Sequence, residues 1–164
     1  MEEMAQRVEI HVRQTTPFIT GHWRKLLPDW KSVPQTMVIL FLQSLYPLDG
    51  EGDAIEVEKQ RLLDLFLQFG EAFYWVSQQR GIAAEIISPK DGTPTYSKRG
   101  ELTFDLVATV HRSLEFKFSA SEKGCKVLTH PEWETSFYPG LFLSEATQTD
   151  VQLVLSEIDW LRER

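Results

Sequence analysis

Cys125, in the stretch Gly124-Cys125-Lys126-Val127, is the side chain of this sequence with the most reactive chemistry. The thiolate is the nucleophilic and metal-ligating form of cysteine, and nearby cations lower a thiol's pKa. Lys123 and Lys126 flank it, and a turn ending at Gly124 would leave the sulfur reachable. A soft thiolate also suits a soft transition-metal centre. The alternative is an inert, half-buried cysteine packed as a small hydrophobe, the commoner fate of a cysteine outside a disulfide. His130-Pro131-Glu132-Trp133 follows closely and reads either as the polar and aromatic lip of a pocket or as a turn with one buried tryptophan.

Other constellations are weaker. Trp23, Trp30, Tyr74 and Trp75 could stack a flat ligand, but aromatics at helical spacing are more often core. Asp53, Glu56 and Glu58 read as the solvated start of a helix, favourable to its dipole, rather than a catalytic pair. His11, His22, His111 and His130 lack the short-spaced partners of a zinc site. There is no glycine-rich nucleotide fingerprint, phosphate loop or serine nucleophile elbow, and no Asp-x-His-x-x-Gly stretch of the kind that ligates corrinoid cobalt through histidine.

The chain has 164 residues, 42% hydrophobic and 12% aromatic, enough for one domain spanning 1–164 with its own core. A single cysteine cannot form an intramolecular disulfide, which points to a reducing compartment. The net charge of −7, without a run of lysines or arginines, weighs against nucleic acid and anionic membranes as partners. The longest apolar run, Met37 to Leu42, is far shorter than a bilayer span. The acidic N-terminus does not resemble a targeting segment, so a cytoplasmic location is expected.

Arg7 to Arg13 alternates polar and apolar residues, predicting a half-buried strand with His11 on its wet side. Thr16-Pro17 opens a short helix that carries Phe18, Trp23, Leu26 and Leu27 and ends at Leu27-Pro28-Asp29. Met37 to Leu42 suits a central strand covered on both faces. A long helix is predicted from about Glu56 to Gln79: Leu62, Phe66, Phe69, Phe73 and Val76 share one face, Leu63, Leu65 and Ala72 widen it, and Gly81 supplies the stop. Strands are expected at 82–87, 102–110, 114–118, 126–129 and 141–143, with a turn at 119–124. Thr147 or Thr149 caps a final helix bearing Val151, Val154, Leu155 and Ile158. The order implies an α+β fold, mainly an antiparallel sheet packed with helices.

Several ordered stretches resemble the methylmalonic aciduria and homocystinuria type D proteins, the CblD cobalamin-trafficking adaptors. They are Thr16-Pro17-Phe18 through Leu26-Leu27-Pro28-Asp29; Glu56-Val57-Glu58-Lys59 with Leu62 to Phe66; Gly81 and Ala84 to Pro89 with Gly92; Gly124 to Val127 with His130 and Trp133; and Gly140, Phe142 and Ala146-Thr147. The likeness runs from about Val8 to Thr147 and corresponds to the family's globular domain. It implies a nitroreductase-like fold without flavin. It also implies an adaptor, not an enzyme, that accepts cobalamin as transient cargo from a CblC-like chaperone. The recipients would be cobalamin-dependent enzymes of the methionine synthase or methylmalonyl-CoA mutase type, and a homodimer is one form such chains take. A family cysteine is understood to ligate cobalt, which makes Cys125 the candidate ligand, with Gly124, Lys126, His130 and Trp133 around the corrinoid. The family pattern has two adjacent cysteines where this chain has one. Aligned on Lys126-Val127, Gly124 takes the ligand position and Cys125 the next; a one-residue deletion in the turn would make Cys125 the ligand itself. A flavin-dependent reductase and a non-catalytic interaction domain remain the alternatives.

Overall fold

A computed structural model describes residues 5–120 and 124–160. Its elements run β1 (Val8–Gln14), α1 (Pro17–Leu26), β2 (Thr36–Gln43), α2 (Asp53–Gln79), β3 (Ala84–Ile87), α3 (Leu106–Leu114), β4 (Lys117–Ala120), β5 (Lys126–Thr129), β6 (Phe137–Ser144) and α4 (Gln148–Ser156). Four strands form a sheet in the order β1-β2-β6-β3, every neighbour antiparallel. β4 and β5 form a separate antiparallel ribbon. This is the expected α+β architecture.

β2 is central because both its faces are apolar. Val38, Leu40 and Leu42 point to the side of α2 and α4, and Met37, Ile39 and Phe41 to the side of α1, α3 and the ribbon. The α2 face is built as the periodicity requires, with Leu62, Phe66, Phe69 and Phe73 buried against Phe142, Leu40 and Ile86. Two glycines let helix and sheet approach: a Cβ on Gly140 would stand 2.1 Å from the Phe66 ring, and one on Gly70 would stand 2.7 Å from Ile86. Gly81 sits at φ +72°. Its N–H bonds the Gln78 carbonyl and that of Ile82 the Ser77 carbonyl, the Schellman pattern that ends a helix.

Caps fix the other helices. Thr16 accepts from the Ile19 N–H ahead of Pro17, and Thr147, not Thr149, accepts from the Asp150 N–H. The predicted strand at 102–110 is instead largely α3. Asp105 caps it by accepting from the Ala108 N–H, and Leu106, Val107, Val110 and Leu114 recur at helical spacing toward the core. β-branched and aromatic residues around that segment carry strand propensity, which tertiary packing overrides here. Of the turn expected at 119–124, Ser119 and Ala120 belong to β4 instead, and residues 121–123 lie outside the described residues. β6 also starts earlier than expected, passing through Pro139-Gly140. Both residues lie beyond the end of β3, where Ile87 faces Leu141, so only β2 pairs with them and a proline is tolerated.

Candidate functional site

The thiol stands at the entrance to the ribbon. Gly124 has φ +81°, a left-handed conformation that glycine adopts without strain, and it turns the chain so that Cys125 precedes β5. Cys125 is exposed, which overturns the half-buried alternative. Beside it lies a cleft of about 910 Å³ between the ribbon and the loop that leads into α2. Asp49, Glu51 and Glu56 line one wall, and Cys125 and Lys126 belong to the other, with Lys59 reaching in from α2. Lys126 carries its ammonium 5.3 Å from the centroid of the Phe118 ring across the ribbon. Lys123, the second flanking cation, lies outside the described residues.

His130 and Trp133 do not join that cleft. His130 is 3% exposed and lies under the hairpin that follows β5. Its Nδ1 accepts from the backbone N–H groups of Glu132 and Trp133, both at 3.0 Å, which leaves the proton on Nε2. Nε2 donates to Glu9 Oε2 at 3.0 Å, and His11 Nε2 donates to the other oxygen of the same carboxylate at 2.7 Å. Trp133 stacks on the His130 ring at 4.5 Å, and Phe41, Phe116 and Phe137 surround it. Burial pushes the Glu9 carboxyl up, but the hydrogen bonds from His11 and His130 outweigh that and hold it below the ordinary glutamate range. His130 thus fastens the ribbon to β1. His11 is half-buried on the α1/α3 face, within 5.6 Å of the Phe41 ring, and not on an open wet side.

Two further carboxylates are buried anchors that the sequence did not announce. Glu85 is fully buried, yet its carboxylate accepts from the backbone N–H groups of Ile86, Thr95, Tyr96 and Ser97 at 2.6–3.0 Å. It pins the 93–98 loop over the edge of β3, where Pro94 bridges Ile87. Glu58 is buried rather than solvated, gripped by Arg61 at 2.7 and 2.8 Å while accepting from the Leu45 N–H. Burial pushes its carboxyl up as well, and Arg61 more than reverses this. A glutamate two residues before a histidine on one strand face was the available signal for Glu9; for Glu85, inside an apolar strand, there was none. Of the aromatic set, Tyr74 stacks on Tyr96 at 3.7 Å, Trp30 donates to Ser97 and Trp75 is exposed, so no shared platform forms.

Among the described residues no group of histidines, cysteines and acids is placed to hold a metal ion, and no helix is long and apolar enough to cross a membrane. An α+β domain with a surface thiol on a clamped ribbon, and no resident metal ligand set among those residues, is the class that fold and site define. The model of the methylmalonic aciduria and homocystinuria type D protein family matches residues 1–155, and the chain belongs to that family. It is also 22% identical over 142 residues to the cobalamin trafficking protein CblD of Rattus norvegicus, covering 86% of this chain and 47% of the relative. The chain spans about half the length of that relative.

Proposed function

We propose that this protein is a cobalamin-trafficking adaptor in which the Cys125 thiolate ligates the cobalt of a corrinoid cargo. The cargo is accepted from a CblC-like chaperone and passed to cobalamin-dependent enzymes. The observation that carries the reading is the exposed Cys125 beside a wide cleft in a chain of this family. Gly124 supports Cys125 as the ligand itself, because a cysteine at that left-handed position would be strained, whereas Cys125 presents a thiol without strain. His130 and Trp133 act at one remove, by fixing the ribbon that carries the sulfur.

In this reading residues 1–164 form one nitroreductase-like domain that works without flavin, as a cytoplasmic adaptor and not a catalyst; the antiparallel sheet with helices on both faces supports the α+β class of that domain. Mixing the protein with cobalamin and a CblC-like chaperone is expected to shift the corrinoid absorption bands as sulfur replaces an axial ligand. Cys125→Ser is expected to abolish that shift. Identical spectra from the two proteins would refute ligation by this residue.

A further inference from the structure

A second cleft, of about 380 Å³, shares no lining residue with the one beside Cys125. Four segments meet there: Arg13 at the end of β1, Thr15 to Pro17 entering α1, Arg112 and Ser113 in the last turn of α3, and Gln148 opening α4. Its charge is the reverse of the molecule's. The sequence holds 24 acidic residues against 17 lysines and arginines, yet among the described residues no acidic one lines this cleft and two arginines do. Among the described residues neither guanidinium has a carboxylate within ion-pair distance. Arg13 donates to its neighbour's carbonyl, Val12, at 2.9 Å, which leaves most of its fork unused. Asp150 and Glu115, the nearest acids in sequence to α4's start and α3's end, do not line the cleft. Arg112 also offsets the partial negative charge at the end of α3, but that accounts for neither Arg13 nor the convergence of the two.

The polar surroundings suit an anion. Gln148 is the first residue of α4, where first-turn N–H groups have no partner inside the helix and the dipole favours negative charge. Two guanidinium forks arriving from different elements offer more donors than the two oxygens of a carboxylate can fill, whereas a phosphoryl group presents three or more acceptors in a tetrahedron.

We propose that this cleft is a phosphate-binding site that takes the phosphoryl group of a small ligand, clamped between Arg13 and Arg112. The site is separate from the thiol cleft, so its test reads independently of cobalamin handling. The experiment titrates the full chain with inorganic phosphate at constant ionic strength and follows the amide and arginine side-chain resonances by NMR. Saturable shifts centred on Arg13, Arg112 and Gln148 are expected. Arg13→Gln and Arg112→Gln should each weaken binding about tenfold, the size of one charge-assisted contact. Arg13→Lys, which keeps the charge and the stem, should weaken it by less, and Arg24→Gln, on the exposed surface of α1, should leave it unchanged. Unaltered melting midpoints would tie these losses to the site rather than to unfolding. Phenyl phosphate and dimethyl phosphate then distinguish a monoester from a diester source of the same group. Shifts that never saturate, binding that survives loss of both arginines, or acetate bound as tightly as phosphate would each overturn the proposal.

Discussion

On the α2/α4 side of the sheet, Val8, Ile10 and Val12, Val38, Leu40 and Leu42, Ala84, Ile86 and Phe142 meet the apolar face of a 27-residue helix. On the α1/α3 side, both edge strands send a carboxylate inward among the apolar residues: Glu9 from β1 and Glu85 from β3. Each of those carboxylates holds a segment that is not part of the sheet. Glu9 fastens the hairpin after the ribbon through His130, and Glu85 fastens the 93–98 loop through backbone N–H groups. The first side is held by packing, which is insensitive to pH and scales with buried area. The second is held partly by charged hydrogen bonds, which are directional and position what they touch. The ribbon that carries Cys125 belongs to the second side.

The packed side should show the largest loss. Phe66 is fully buried, lies against Phe142 at 5.3 Å between centroids, and has Gly140 beneath its ring. Phe66→Ala removes that contact and opens a cavity that the glycine cannot fill, so urea melts should lose about 3–5 kcal/mol. If the loss is below about 1 kcal/mol, the helix and the sheet do not depend on this packing.

Glu85→Gln probes the opposite side with a side chain of nearly the same shape. It places an amide where four N–H donors require an acceptor, so some buried N–H groups lose their partner. A loss of about 2–3 kcal/mol is expected, with faster hydrogen exchange concentrated at Thr95, Tyr96 and Ser97. Exchange that quickens equally in α2 would mean that Glu85 supports the whole fold and not one loop.

The contrast between the sides also decides what could be read from the sequence. The 3.6-residue period of Leu62, Phe66, Phe69 and Phe73 and the two-sided run at Met37 to Leu42 are local patterns, and a packed face enforces local patterns. The caps at Thr16 and Thr147 and the stop at Gly81 are equally local. Glu9 and His130 are far apart in the chain and meet only when the ribbon folds back over β1, so neither residue type announces the pair. The Asp105 cap was present in the sequence, but the aromatic and β-branched residues around α3 favoured a strand reading. At the thiol, Gly124 was legible as a turn residue that could leave the sulfur reachable, but a half-buried Cys125 was the commoner expectation and the fold decides for exposure. The acidic wall of the cleft comes from the loop before α2 and the start of α2, and needed the fold to bring it there.

Acid should act first on two anchoring carboxylates, Glu9 on the α1/α3 side and Glu58 on α2 itself. The Glu9 and Glu58 carboxyls both lie below the ordinary glutamate range in the folded protein, so at low pH the unfolded chain binds the more protons. Their stabilisation is fully present above about pH 4.3, the unfolded value, and is lost as pH falls through the lower folded values. Glu9→Gln should flatten part of that acid slope in stability-versus-pH measurements and loosen the ribbon, read as faster exchange at Val127 and Leu128. A slope unchanged by the substitution would assign the acid sensitivity to other carboxylates held low in the folded protein, Glu58 beside Arg61 and Asp91 beside Thr93.

The smallest effect is expected at the residue with the most chemistry. Cys125 is exposed at the start of β5, whereas the ribbon's hold on the core comes from Leu128, Phe116 and His130, which are buried. Cys125→Ser exchanges one exposed polarisable atom for another small polar one and should change the unfolding free energy by less than about 0.5 kcal/mol. His130→Ala, by contrast, leaves the Glu9 carboxylate without one of its two donors and two backbone N–H groups without their acceptor, so it should destabilise far more while leaving the sulfur in place. Measured together, the pair separates holding the ribbon from using it. If Cys125→Ser keeps the melt and loses the corrinoid spectral shift, the thiol serves the cargo. If His130→Ala, held at a temperature where it stays folded, keeps that shift at reduced affinity, the histidine's part is to position the ribbon. A Cys125→Ser protein that melts much earlier than the parent would instead make the sulfur part of the scaffold, and the division between a fastening network and a reactive tip would fail at this residue.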